Sequence, residues 1–341
     1  MLEFYQIYVY CVFIAAVIAY AALDGFDLGV GTLHLFARND HDRRVFLNAI
    51  GPVWDGNSVW IVIAVGVMLA AFPKFFATLF SGLYLPMMGI IFTFMLRAAS
   101  LEFRSKTESK KWRSFWDFFF FLSSFLMALD LGMILSHLIS GLPLDPMGFV
   151  IAKERTFITP YSIAVGLFVT ALFSVHGALY LLMKTEGKLQ KQLEVLAPYI
   201  FSIFVLFWAV ASAMTFSEQG HMLQPTLSRP LLWIMALFVL SALAGVGIAF
   251  RKRLFGWAFI CSMAAIALFV ILFAYGSFPY FLISSIDPEH RSLTIYNSSS
   301  GQLTLRVLAI MATVGVPLSG FYFRWVYQTF RGKVVVDDHS Y

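Results

Sequence analysis

The chain has 341 residues, of which 60% are hydrophobic and only 13% charged, and its mean hydropathy is +0.80. A soluble domain carries about 25% charged residues, so this composition excludes a water-soluble globule and points to a polytopic membrane protein. The net charge of +5 needs no nucleic-acid partner, because the basic excess falls where membrane topology puts it.

Nine apolar runs are long enough to span a bilayer: Gln6–Phe36, Val45–Phe72, Phe75–Arg97, Phe115–Gly141, Tyr161–Met183, Ala197–Phe216, Pro230–Phe250, Leu254–Ser277 and Leu303–Phe330. The first does not read as a cleavable signal peptide, since no basic segment precedes it and its apolar run is too long. Of the 24 basic residues, 18 lie in alternate connections: Arg38–Arg44, Arg97–Arg113, Lys184–Lys191, Arg251–Arg253 and the segment after Phe323. The other six are Lys74, Lys153, Arg155, Arg229, Arg291 and Arg306. The positive-inside rule then predicts an outside N-terminus and a cytoplasmic C-terminus. The expected fold is an all-α polytopic membrane protein of nine transmembrane helices: two four-helix bundles (1–141 and 160–277) and a ninth, peripheral helix (303–330). Leu142–Pro160 and Phe278–Gln302 are the longer outer loops. The two cysteines, Cys11 and Cys261, fall at different depths, too far apart to bridge.

The first run carries Asp24-Gly25-Phe26-Asp27-Leu28-Gly29-Val30-Gly31. Asp24 and Asp27 share a helix face, and glycines four apart let another helix approach closely. The second carries Gly51-Pro52-Val53-Trp54-Asp55-Gly56-Asn57-Ser58-Val59-Trp60, where Pro52 breaks the helix ladder and Asp55, Asn57 and Ser58 can hold water. Asp27 precedes Arg38, and Asp55 follows Arg44, by the same eleven residues. As continuous helices, both runs would hold their carboxylates roughly 16 Å below the basic loop, near the bilayer centre. A carboxylate there costs about 2.5 kcal/mol or more and reads first as part of a proton or ion path. The competing reading is helix packing, with each carboxylate satisfied by neighbouring donors.

Other signals are weaker. Asp130 lies deep in the fourth run, and Asp117 lies near its basic end. His34 and His176 are weak haem-contact candidates, since haem between helices takes His or Met ligands. His137 lies near the other face. Arg97 reads as a topology signal at the end of the third run. No Walker-type GxxxxGK[ST], HExxH or GxSxG pattern occurs, and no metal site is expected. An ATP-driven pump is therefore disfavoured. A proton- or cation-coupled membrane transporter using the same aspartates is the alternative, although the internal repeat common to such transporters is not apparent.

The Asp24–Gly31 segment, Arg38-Asn39-Asp40, and Trp54-Asp55-Gly56-Asn57 with Trp60 resemble subunit II of the cytochrome bd quinol oxidases. Further matches are Phe103-Arg104-Ser105-Lys106, Trp112-Arg113 with Trp116-Asp117, Gly177-Ala178 with Tyr180-Leu181, and Ser299-Ser300 through Gln302-Leu303-Thr304-Leu305. The resemblance implies a respiratory complex in a bacterial or archaeal cell membrane that oxidises quinol and reduces oxygen to water. Subunit I would be the partner, carrying two haems b and one haem d, and a small third subunit is possible. This chain would be the haem-poor subunit, with no catalytic residue of its own. It would help protons reach the oxygen-reducing site from the cytoplasm. Asp55 matches the family's proton-route carboxylate, and Asp24 and Asp27 match its first-span acidic pair. Ser58 stands where relatives carry Glu or Gln, which leaves Asp55 or water to carry protons at that point.

Overall fold

The computed structural model describes residues 1–151, 157–218 and 229–335. Lys153 and Arg155, expected on the outer side, lie outside the described residues. The described chain is almost wholly helical: α1 (Leu2–Leu33), α2 (Asp40–Ile50), α3 (Trp54–Ala71), α4 (Pro73–Gly82), α5 (Tyr84–Arg104), α6 (Lys110–Ser140), α7 (Pro160–Lys184), α8 (Gly187–Glu218), α9 (Pro230–Arg251), α10 (Phe255–Ser277), the single turn α11 (Pro288–Arg291) and α12 (Gln302–Thr329). Among the described residues, nine helices are long and apolar enough to cross a membrane: α1, α3, α5 to α10 and α12. The number matches the expectation.

Two runs divide differently from their hydropathy. The second run is two helices, because Gly51-Pro52-Val53 interrupts the ladder: Pro52 has no N–H to donate, and the chain turns before α3 starts. Asp55 therefore lies in the first turn of α3, and counting from Arg44 along one continuous helix does not give its depth. The third run is also split, with α4 and α5 on either side of Leu83. The crossing helix extends to Arg104, so Arg97 sits inside it, two turns before its end.

The helix α7 is the centre of the assembly: 89% of its most apolar stretch is buried against other helices, compared with 11% for α12 at the periphery. Glycines allow that burial. A Cβ on Gly29 would lie 1.8 Å from the Phe173 carbonyl oxygen, and one on Gly177 would lie 2.5 Å from the Gly29 carbonyl carbon. The backbones of α1 and α7 thus touch where the sequence placed small residues. Gly132 and Gly166 do the same for α6 and α7, where a Cβ on Gly132 would lie 2.7 Å from the Gly166 Cα. Around this contact, one apolar cluster takes in residues from α1, α3, α5 to α10 and α12. At the end opposite the basic loops, β1 (Tyr280–Leu282) and β2 (Leu293–Thr294) form a short antiparallel ribbon. Leu142 exchanges backbone hydrogen bonds with Ile283 and Ser285, tying the two longer loops together.

Candidate functional site

Four of the predicted site residues meet inside the helix bundle. Asp24 and Asp27 are 0% and 1% exposed on α1, and Asn57 and Ser58 are 0% and 1% exposed on α3. Their contacts form two adjoining layers. In the first, Arg97 of α5 reaches Asp24: its Nη2 donates to Oδ1 at 2.8 Å and to Oδ2 at 3.0 Å. The same nitrogen donates to Ser58 Oγ at 2.7 Å, and that hydroxyl lies 2.9 Å from Asp24 Oδ1. Asp24 is thus a carboxylate held by a buried cation, which offsets the charge burial that made it costly. Ser58 closes the pair, its short side chain joining the Arg97–Asp24 contact directly.

In the second layer, Asn57 Nδ2 donates to Asp27 Oδ2 at 2.8 Å, while Tyr327 of α12 donates to Asn57 Oδ1 at 2.8 Å. The tyrosine fixes the orientation of the amide, which turns the Nδ2 donor toward Asp27. The other oxygen, Asp27 Oδ1, is buried and has no hydrogen-bond partner among the described residues. If Asp27 takes up a proton, Oδ1 is the atom that can hold it, because Oδ2 already accepts from the amide. Tyr20 Oη, and Nε and Nη1 of Arg97, are likewise buried without partners among the described residues.

Asp55 does not join this group. It is exposed on the surface of α3, along a stripe continued by Val59 and Val62, which are 47% and 63% exposed, and by Leu69 at 51%. The three aspartates expected at one level are therefore two buried groups and one outward-facing group.

His34 lies at the basic end in a third cluster. Its Nε2 is 2.6 Å from Asp117 Oδ1, and Asp117 also accepts from Arg104 Nε at 2.6 Å and Arg43 Nη1 at 2.9 Å. Arg104 and Arg113 continue to Asp40, at 2.7 Å and 2.9 Å. Burial opposes ionisation of Asp40, but the hydrogen bond and charge of Arg104, with the charge of Arg113, hold its carboxyl below the usual range. The cluster joins the ends of α1, α2, α5 and α6, and Asp117 is its buried hub, shared by His34, Arg43 and Arg104.

His176 offers no free nitrogen for haem ligation by this chain, whereas His34 keeps Nδ1 without a partner among the described residues. His176 Nδ1 lies 2.6 Å from Ser262 Oγ and Nε2 lies 2.9 Å from the Ala22 carbonyl oxygen, so neither nitrogen is free for a metal. His34 belongs to the Asp117 cluster, and the two histidines serve separate networks. His137 bonds the Phe157 carbonyl oxygen. Asp130 is half-buried against Gly89, where a Cβ would meet its Oδ2 at 2.8 Å. Among the described residues no group of three or more His, Cys, Asp or Glu has the arrangement to hold a metal ion.

Sequence reasoning missed Arg97 as a partner of Asp24, and it missed Tyr327. Arg97 carried a signal, a cation within reach of an apolar stretch. It was misread because hydropathy ended the third run there. Tyr327, at the far end of the last run, gave no signal of its own.

Residues 5–330 match the family described as cytochrome bd terminal oxidase subunit II. The chain is 34% identical over 315 residues to cytochrome bd ubiquinol oxidase subunit 2 of Bacillus subtilis, covering 92% of this chain and 91% of that one. It is 30% identical over 353 residues to cytochrome bd-I ubiquinol oxidase subunit 2 of Escherichia coli, covering 94% and 93%. In fold it is similar to the bd oxidase from Geobacillus thermodenitrificans, with a TM-score of 0.75 at 19% identity over 96% of this chain and 98% of that one. The chain belongs to the cytochrome bd terminal oxidase subunit II family, and is a multi-pass cell-membrane subunit of an oxidoreductase.

Proposed function

We propose that this chain is the proton-delivering, haem-poor partner of a quinol:oxygen oxidoreductase, and that the buried Asp24, Asp27, Asn57 and Ser58 form part of a path from the cytoplasmic side. The observation that carries this reading is Asp27. It is buried within the apolar stretch of α1, one oxygen is positioned by Asn57, and the other has no partner among the described residues. An unpaired carboxylate at that depth is costly, and a functional role is its first explanation. Asp24, neutralised by Arg97, supplies the fixed electrostatic neighbour; Asp27 supplies the group that changes protonation.

Subunit I is the partner in this reading, holding two haems b and one haem d, with quinol as electron donor. The engaged nitrogens of His176 support leaving the haems to that subunit. Asp55, outward on α3, suits a hand-over to it across the subunit boundary, and a small third subunit is compatible with the remaining lipid-facing surface. The basic end is cytoplasmic and the N-terminus outside. The grouping into 1–141, 160–277 and the ninth helix 303–330 is part of the same proposal. Family membership favours it over a proton- or cation-coupled transporter built on these aspartates.

The test is oxygen consumption by the purified complex. Asp27→Asn and Asp55→Asn should each slow it by about a hundredfold, the lower range for loss of a positioned proton-transfer group, with haem absorbance near normal. Full activity in both variants removes these residues from the path.

A further inference from the structure

The helix α12 is joined to the bundle at its ends more than along its length. Among its described residues only Leu305, Ala309 and Val326 are buried, and Pro317 interrupts the backbone ladder midway. Packing over so small a surface does not by itself fix the height or rotation of a spanning helix. At the end opposite the basic loops, Ser300 donates through its backbone N to the Ala71 carbonyl oxygen at 2.8 Å and through Oγ to that of Ala70 at 2.6 Å. Gln6 Nε2 donates to Ser299 Oγ at 2.7 Å. The Ser299-Ser300 pair thus stitches the start of α12 to α1 and to the last carbonyls of α3, which have no partner within their own helix.

At the basic end, residues 331–335 turn back across α7. The turn requires Gly332, whose φ of +104° lies in the left-handed region. Val334 N donates to the Lys184 carbonyl oxygen at 2.9 Å. Lys333 Nζ donates to the carbonyl oxygens of Thr185 at 2.6 Å and Leu182 at 3.3 Å. These are carbonyls that the end of α7 leaves unpaired, and an ammonium there also meets the negative end of the helix dipole. The capping is mutual, because Lys184 Nζ donates to the Phe330 carbonyl oxygen at the end of α12 at 2.6 Å. Val334 packs against the apolar cluster around α7. The segment therefore ties the least buried spanning helix to the most buried one.

Tyr327 lies in the last turn of α12, six residues before Lys333. Its hydroxyl donates to Asn57 Oδ1 at 2.8 Å, and one turn earlier the Phe323 ring lies 5.6 Å from that of Trp60. A slip of one residue moves a helical side chain by about 1.5 Å along the axis and about 100° around it, which breaks a bond of that length. We propose that residues 331–335 are a positioning strap: by clasping the end of α7 they set the height and rotation of α12 and so hold Tyr327 on Asn57. Gly332 and Lys333 act through Tyr327 and touch neither carboxylate. The effect on turnover rests on the proton-delivery reading above, whereas the docking of the strap does not.

The test uses the intact oxidase complex. The Val334 amide should exchange its hydrogen slowly in the wild-type complex, and at least about tenfold faster in Lys333→Met and Gly332→Val. Free exchange in the wild type overturns the strap. Tyr327→Phe should slow oxygen consumption by about five- to tenfold, the effect of one hydrogen bond, with haem content and the KM for quinol unchanged. Lys333→Met and Gly332→Val should slow it by a similar factor, while Lys333→Arg, which keeps a donor, should stay near wild type. Combined with Tyr327→Phe, neither strap variant should slow turnover further, since both changes act on one contact; a strap that served folding alone would give effects that multiply. Multiplying effects, or full turnover in Lys333→Met and Gly332→Val with the Val334 amide freed, overturn the positioning role. If Asp27→Asn is fully active, the proton-delivery reading fails, and the same double-variant cycle still decides the strap: non-additive slowing supports it and multiplying effects overturn it.

Discussion

Replacing Arg97 by methionine leaves Asp24 buried without its cation. Arg97 is 1% exposed and Asp24 0%, so solvent cannot screen the change. At the observed 2.8 Å separation and an effective dielectric near 20, the gross attraction is about 6 kcal/mol. Desolvation of both groups consumes much of it, and removing one partner of a buried pair leaves a net loss of about 3–5 kcal/mol. Detergent-purified complex carrying Arg97→Met should therefore show a lower melting midpoint and a shorter inactivation half-life at fixed temperature. Asp24→Leu/Arg97→Met removes both charges and should be less damaged than the sum of the single variants, by about 3 kcal/mol of coupling. Additive single effects would refute the argument, since they would mean that Arg97 and Asp24 stabilise the bundle independently.

Gly29→Ala forces a Cβ to within 1.8 Å of the Phe173 carbonyl oxygen, so α1 and α7 must separate; a loss of at least about 1–3 kcal/mol is expected, read as a lower yield of assembled complex. Asp40 provides the pH prediction. Its folded carboxyl titrates below its ordinary range, so its contribution is complete above the unfolded value near pH 4 and is lost as pH falls through the lower folded value. Stability of Asp40→Asn measured across that acid window should have a shallower slope than wild type, and an unaltered slope would show that the Arg104 contact does not couple to folding.

Much of this arrangement was legible in the residues. Asp24 and Asp27 announced themselves as costly groups in an apolar run, and Asn57 and Ser58 as polar groups beside a helix-breaking proline. The contact of Gly29 with Gly177 follows the small-residue spacing seen in the first run. Asp55 was legible as a residue but not as a position. Its depth was counted along a helix that Gly51-Pro52-Val53 interrupts, and its direction depends on which face of α3 meets α1.

The chain's composition and periodicity by themselves determined a nine-helix membrane protein with acidic groups inside it, because hydropathy and helix spacing are local properties that lipid reads directly. Only the tertiary structure decided which carboxylate is neutralised and which is not. Arg97 is 73 residues from Asp24 and Tyr327 is 270 from Asn57, and no local pattern encodes such a meeting. The rotation and crossing of packed helices bring Arg97 to Asp24, turn Asn57 toward Asp27, and leave Asp55 facing outward.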